Sequence, residues 1–167
     1  YKRQILVCAG AGGHAGTLSP FALVREVREF FDGPLALSGS ISEGSSVLSA
    51  LALGADFAYV GTKFIATEEA NASPGYKQMI IDSTADDIMY SATFTGVNGN
   101  YLRPSVEAAG LNPDEHTSGS KDDMNFSTSA IAKKDNSSKA WKDIWGSGQG
   151  IGSVSYTHLR AHETILD

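Results

Sequence analysis

A chain of 167 residues with 41% hydrophobic and 19% charged residues has the composition of one soluble globular domain with a sizeable core. A net charge of −6 leaves no basic surplus for neutralising phosphate backbones, so a general nucleic-acid binder is excluded. No apolar run reaches membrane-spanning length, and the single cysteine, Cys8, forbids an internal disulfide and fits a reducing, cytoplasmic setting.

In chain order, Ile5–Ala9 ("ILVCA") is a short β-rich run that predicts a strand buried on both faces. A glycine-dense loop follows, and Ser19-Pro20 then pairs an N-cap with proline at the first helical position. Leu23, Val24, Val27, Phe30 and Phe31 recur at helical spacing before Gly33. Pro34–Ser38 ("PLALS") predicts a second strand, and Val47, Leu48, Leu51 and Ala52 a second helical stripe that ends at Gly54. Phe57–Val60 predicts a third strand, followed by "GTKF". Alternating β and α elements predict a parallel sheet in an α/β fold. If the strands are in phase, Ile5, Val7, Leu35, Leu37, Phe57 and Tyr59 share one face.

The pattern changes after about Ala72. Tyr76–Asp82 reads as a short helix, and Ile88–Thr95 as a strand or an irregular arm. Asn112–Ser138 is polar with few apolar anchors and reads as a surface excursion. Ala140–Trp145 reads as a helix carrying both tryptophans, and Gly146–Gly152 ("GSGQGIG") is again glycine-dense.

Ligands of parallel α/β folds sit at the C-terminal ends of the strands, where all three glycine-bearing loops fall: Gly10–Gly16, Gly39–Gly44 and Gly61-Thr62. Bare backbone there can approach a phosphate; glycine equally serves tight βα turns. Gly10, Gly12 and Ala15 match G-x-G-x-x-A, but the helix waits until Ser19-Pro20 and the next strand ends without an acid, so the dinucleotide fingerprint is rejected. His14 is the one histidine in a strand-end loop. It reads either as a general base or anion donor, or as a loop histidine bonded to backbone. Glu68 and Glu69 read as a solvated helix face, and Cys8 as core. His158 and His162 stand at i, i+4 without an evident third ligand, so no metal site is expected.

"CAGAGGHAG", "PLALSGSISEG", "ALGADFAYVGTKFIATEEA", "FTGVNGNYL" and "AWKDIWGSGQGIGS", in that order from Ile5 to Val154, resemble the nitronate monooxygenase family, once called 2-nitropropane dioxygenases. The resemblance implies part of an FMN-dependent (β/α)8 TIM barrel, about strands 6 to 8 in residues 1–72, with a C-terminal extension in 73–154. Residues 155–167 then read as a foreign read-through tail. It also implies His14 as the residue acting on substrate beside the flavin, with Gly12 and Gly13 admitting the loop to the cofactor. The family's G-G-I phosphate loop reads Gly39-Ser40-Ile41 here, with one glycine replaced; its G-T-R-F reads Gly61-Thr62-Lys63-Phe64; and Gln149 matches a family glutamine near the flavin. The implied activity is oxidation of nitronates or nitroalkanes by O2, with a homo-oligomer admitted and neither nucleic acid nor membrane as partner. FMN-dependent enoyl-acyl-carrier-protein reduction, NAD(P)H:quinone reduction and an inactive fragment are the alternatives.

Overall fold

The computed structural model describes residues 2–114 and 143–157. Most of the polar excursion, the first half of the Ala140–Trp145 segment and the His158/His162 pair lie outside the described residues.

The expected β-loop-α units are present. Strands β1 (Gln4–Val7), β3 (Leu35–Ser38) and β4 (Phe57–Tyr59) form a parallel sheet in the order β1-β3-β4. Helix α1 (Pro20–Arg28) follows β1, α2 (Gly44–Ala52) follows β3 and the single turn α3 (Thr62–Ile65) follows β4. The Ser19 hydroxyl caps α1 by accepting from the Ala22 N–H at 3.4 Å. The helix ends at Arg28 rather than reaching Gly33, because Arg28 turns back to bond the chain that follows. Its guanidinium donates to the carbonyls of Phe31, Gly33 and Gly54 and to the Asp56 carboxylate, the last at 2.8 Å. Asp56 also accepts the Leu35 N–H, and these backbone and guanidinium donors hold its carboxyl below the usual range. This network ties together the ends of the sheet opposite the glycine loops.

The register corrects the expected phasing of β3. Ile5 lies beside Ala36, which lies beside Phe57; Val7 lies beside Ser38, which lies beside Tyr59. Leu35 and Leu37 therefore point to the opposite face, where they are buried with Leu6, Val24, Ile41 and Ala50 under α1 and α2. A shift of one residue flips every side chain of a strand, and β3 puts its leucines under the helices. What remains on the other face is Ile5, Val7, Phe57 and Tyr59, each at least 40% exposed.

A second sheet was not legible in advance. β2 (Gly13–His14), β6 (Gly99–Leu102) and β5 (Ile88–Ser91) pair antiparallel in the order β2-β6-β5. The expected helix at Tyr76–Asp82 is α4 (Pro74–Asp82), and α5 (Arg103–Ala108) follows β6. Ala66, Ile80, Leu102, Ile151 and Val154 form a second core cluster, and Met89, Phe94, Tyr101, Val106 and Ile144 a third. Thr157 bridges to Thr67, and its carbonyl accepts the Glu68 N–H at 3.1 Å. Among the described residues no helix is long and apolar enough to cross a membrane.

Candidate functional site

The three loops meet at the C-terminal ends of β1, β3 and β4, and a fourth segment, Gly146–Gly150, lies across them. The carbonyl of Gly10 is the hub: it accepts the N–H groups of Ser40 at 3.2 Å and Gln149 at 2.9 Å. Backbone runs so close here that side chains would collide. A Cβ on Gly12 would stand 2.8 Å from the Gly148 nitrogen, and one on Gly150 2.8 Å from the Ser40 carbonyl oxygen. Gly39 has φ +141°, and a Cβ there would come within 2.2 Å of the Cys8 sulfur. Only glycine fits that position. Ser40, at φ 54°, adopts the left-handed backbone that its glycine-rich setting demands, at a modest conformational cost for a residue with a Cβ.

Asn100 fixes the first loop from the second sheet. Its buried Nδ2 donates to the Ala11 carbonyl at 2.7 Å, and its own carbonyl accepts the Ser147 N–H. The Thr62 hydroxyl accepts the Gly148 N–H at 2.9 Å, so the third loop is tied to the crossing segment as well.

Two cavities result. One, of about 250 Å³, is walled largely by backbone from Gly10–Gly13, Ser38–Ser42, Gly61-Thr62, Gly146 and Gly148. The other, of about 270 Å³, is lined by His14, Thr95 and an apolar wall of Phe94, Tyr101, Ile144 and Trp145. They share Gly13, Tyr76 and Gly146. Tyr76 stands at this junction with its ring stacked on Trp145, centroids 4.9 Å apart, and its hydroxyl donating to the Gly146 carbonyl. Burial pushes its phenol up to about 12, so it stays neutral and keeps its donor. Cys8 is fully buried; its thiol donates to the Ser38 carbonyl at 3.0 Å, and burial raises it away from reactive thiolate.

Of the residues expected at the site, Gly12, Gly13, Gly39, Ser40, Gly61 and Thr62 all line the first cavity. His14 lines the second, is exposed, and has its Nε2 3.1 Å from the Thr95 hydroxyl. Two expectations change in detail. The Ser40 N–H, expected to face a phosphate, is spent on the Gly10 carbonyl. Gln149 does not line either cavity; it is exposed, and a Cβ on Gly10 would meet its Oε1 at 2.9 Å. Asn100, Thr95 and Tyr76 escaped the sequence reading. The one hint lay in "FTGVNGNYL", which supplies Thr95 and Asn100 but reveals its hairpin only when paired with Gly13-His14.

The nitronate monooxygenase family model matches residues 4–157. The chain belongs to that family. A nitronate monooxygenase of Paraburkholderia phytofirmans is 31% identical over 112 residues, which are 62% of this chain and 31% of that protein. FabK from Thermotoga maritima superposes with a TM-score of 0.67 at 23% identity, over 91% of this chain and 48% of that one. A nitroalkane oxidase from Streptomyces ansochromogenes gives a TM-score of 0.67 at 24% identity, over 92% and 47%. These solved structures are TIM barrels, and at such identity they show a shared α/β fold. The chain spans 31% to 48% of the length of these relatives.

Proposed function

We propose that this chain is the cofactor- and substrate-holding portion of an FMN-dependent oxidoreductase that oxidises nitronates or nitroalkanes with O2. In this reading residues 1–72 are the C-terminal βα units of a (β/α)8 barrel, with β1, β3 and β4 standing as its strands 6 to 8. Residues 73–154 are the extension that closes over the loops; of the 155–167 segment expected to be an appended tail, 155–157 fall within the family match and Thr157 pairs with Thr67. The protein works in the cytoplasm, and homo-oligomers are compatible with it.

The observation that carries the reading is the pair of adjoining cavities, one lined mainly by the glycine loops and one holding His14 against an apolar wall. The first suits a flavin nucleotide. A Cβ built on Gly13 or Gly61 meets nothing within 4 Å, so open space lies before the backbone there. Gly61 and Thr62 would hold the phosphate. The Thr62 oxygen already accepts from Gly148, which leaves its hydroxyl proton to donate to an anion. Bound FMN would supply the acceptor for the substrate's electron pair and the route by which that pair reaches O2. His14 would position the nitro group and take the proton from the carbon beside it. The aromatic wall would hold the substrate's alkyl part and keep water from the exchange.

Oxygen uptake by the flavin-loaded protein, with a nitronate as substrate, tests this reading. His14→Ala should keep the flavin and lower turnover of a neutral nitroalkane on the order of 10²–10⁴-fold. NADH oxidation with an enoyl thioester or quinone, and no oxygen uptake with nitronates, would replace the proposal by the reductase alternative.

A further inference from the structure

The hairpin β5–β6 holds His14 from several sides. Tyr90 donates its hydroxyl to the Ala15 carbonyl at 2.9 Å, and the Ala15 N–H donates to Asn98 at 3.2 Å. Between these anchors the Thr95 hydroxyl meets His14 Nε2 at 3.1 Å, the Val97 carbonyl at 3.0 Å and the Tyr101 hydroxyl at 3.3 Å. Tyr101 is itself buried and packed edge-on to Phe94, so the group it presents to Thr95 is fixed by the third core cluster.

The protons in this cluster can be placed by counting. A threonine hydroxyl has one proton and two lone pairs. The Val97 carbonyl can only accept, so the Thr95 proton points to it. His14, the nearer of the remaining partners, then donates to Thr95 through Nε2–H, and the second lone pair is left to the Tyr101 O–H at 3.3 Å or the Val97 N–H at 3.4 Å. The Val97 N–H is the weakest of the contacts and leaves the His14 assignment unchanged. We propose that Thr95 is a positioning residue that holds the proton of His14 on Nε2 and leaves Nδ1 as the ring atom that takes up and releases protons. The inference deepens the reading of His14 as the group that acts on substrate, and rests on that reading for its catalytic meaning. Thr95 then decides which nitrogen is the base, and the ring plane is set by a hydroxyl anchored to backbone on its other side.

The test is a two-bond ¹H–¹⁵N correlation spectrum of the full chain labelled at its four histidines. It is recorded at about pH 8, where an ordinary histidine is neutral. His14→Gln supplies the assignment. Native His14 should show one tautomer, with Nδ1 unprotonated. Thr95→Val, which keeps the shape and removes the hydroxyl, should give averaged signals of both tautomers, and Thr95→Ser should restore the single form. The proton found on Nδ1, or a native spectrum already averaged, would overturn the proposal without either Thr95 variant having to fold. Equal tautomer ratios in native and Thr95→Val protein would overturn it too. In flavin-loaded protein, Thr95→Val should lower kcat with a neutral nitroalkane about tenfold, with rescue by Thr95→Ser. A native protein that turns over no nitroalkane or nitronate, yet shows the single tautomer, would remove the proposed function and keep the proton assignment.

Discussion

Replacing Asn100 should loosen the whole site from a position that touches no cavity-forming glycine through its own side chain. Asn100 is 1% exposed, and its amide is the donor that satisfies the carbonyl of Ala11, itself 3% exposed. Asn100→Leu keeps the volume and the β6 backbone but leaves that carbonyl buried and unpaired, a loss of about 1–3 kcal/mol. With little cavity created, about 2 kcal/mol is expected. For a domain of this size each kcal/mol moves Tm by about 2–4 °C, so the midpoint should fall by about 4–8 °C. Asn100→Asp is a sharper comparator. At neutral pH its carboxylate faces the Ala11 oxygen without a proton, and it should be worse than leucine. In acid the protonated carboxyl regains a donor and part of the stability. Thermal unfolding by circular dichroism at neutral and acid pH reads both effects. A stability within about 0.5 kcal/mol of native for Asn100→Leu would refute the claim that this hydrogen bond anchors the first loop.

Gly61→Val should leave the fold intact, since a Cβ there meets nothing within 4 Å, yet abolish flavin retention by filling the cavity; full flavin absorbance after purification would refute the phosphate assignment. Ile5, Phe57 and Tyr59 are more than half exposed on one sheet face, so the chain by itself should self-associate through that face. Ile5→Thr with Phe57→Thr should weaken association by about 2 kcal/mol, roughly thirtyfold in dissociation constant, by sedimentation or size-exclusion chromatography. Tyr76 should ionise above the ordinary tyrosine range, seen as a late step in phenolate absorbance that Tyr76→Phe removes. Because its folded-state value is raised to about 12, its contribution to stability is complete below the ordinary tyrosine range and is lost as pH rises through about 10 to 12.

The parallel sheet was legible because its strands are short apolar runs punctuated by glycine, and because Ser19-Pro20 marks a helix start independently of packing. The phase of β3 was not. "PLALS" alternates large and small residues, and nothing local says which set meets the helices; pairing with β1 and β4 decides it. His14 and the cavity glycines stood out because their residue types are unusual at a strand end. Thr95 and Asn100 are ordinary residues in an ordinary hairpin, and their roles arise from the antiparallel pairing of Gly13-His14 with Gly99-Asn100, a contact across more than eighty positions that no local pattern encodes.

That pairing also divides the glycines of the first loop by what they do. Gly12 and Gly13 are neighbours, yet a Cβ on Gly12 would strike the backbone of Ser147 and Gly148, whereas one on Gly13 would enter open space. Gly12 is therefore required by chain against chain, and its replacement should damage folding whether or not a ligand binds. Gly13 has φ +70° and lines both cavities, so its replacement strains the backbone locally and projects a side chain to where the cavities join. A glycine-rich loop at a strand end thus carries two separate constraints on adjacent residues. Gly12→Ala should lower the unfolding midpoint in the absence of flavin. Gly13→Ala should cost the backbone about 1–2 kcal/mol, and weaken flavin binding by more than that strain accounts for. Equal losses of flavin affinity and of apo stability in the two variants would mean that the loop is a single packing unit, and that the division by Cβ direction is wrong.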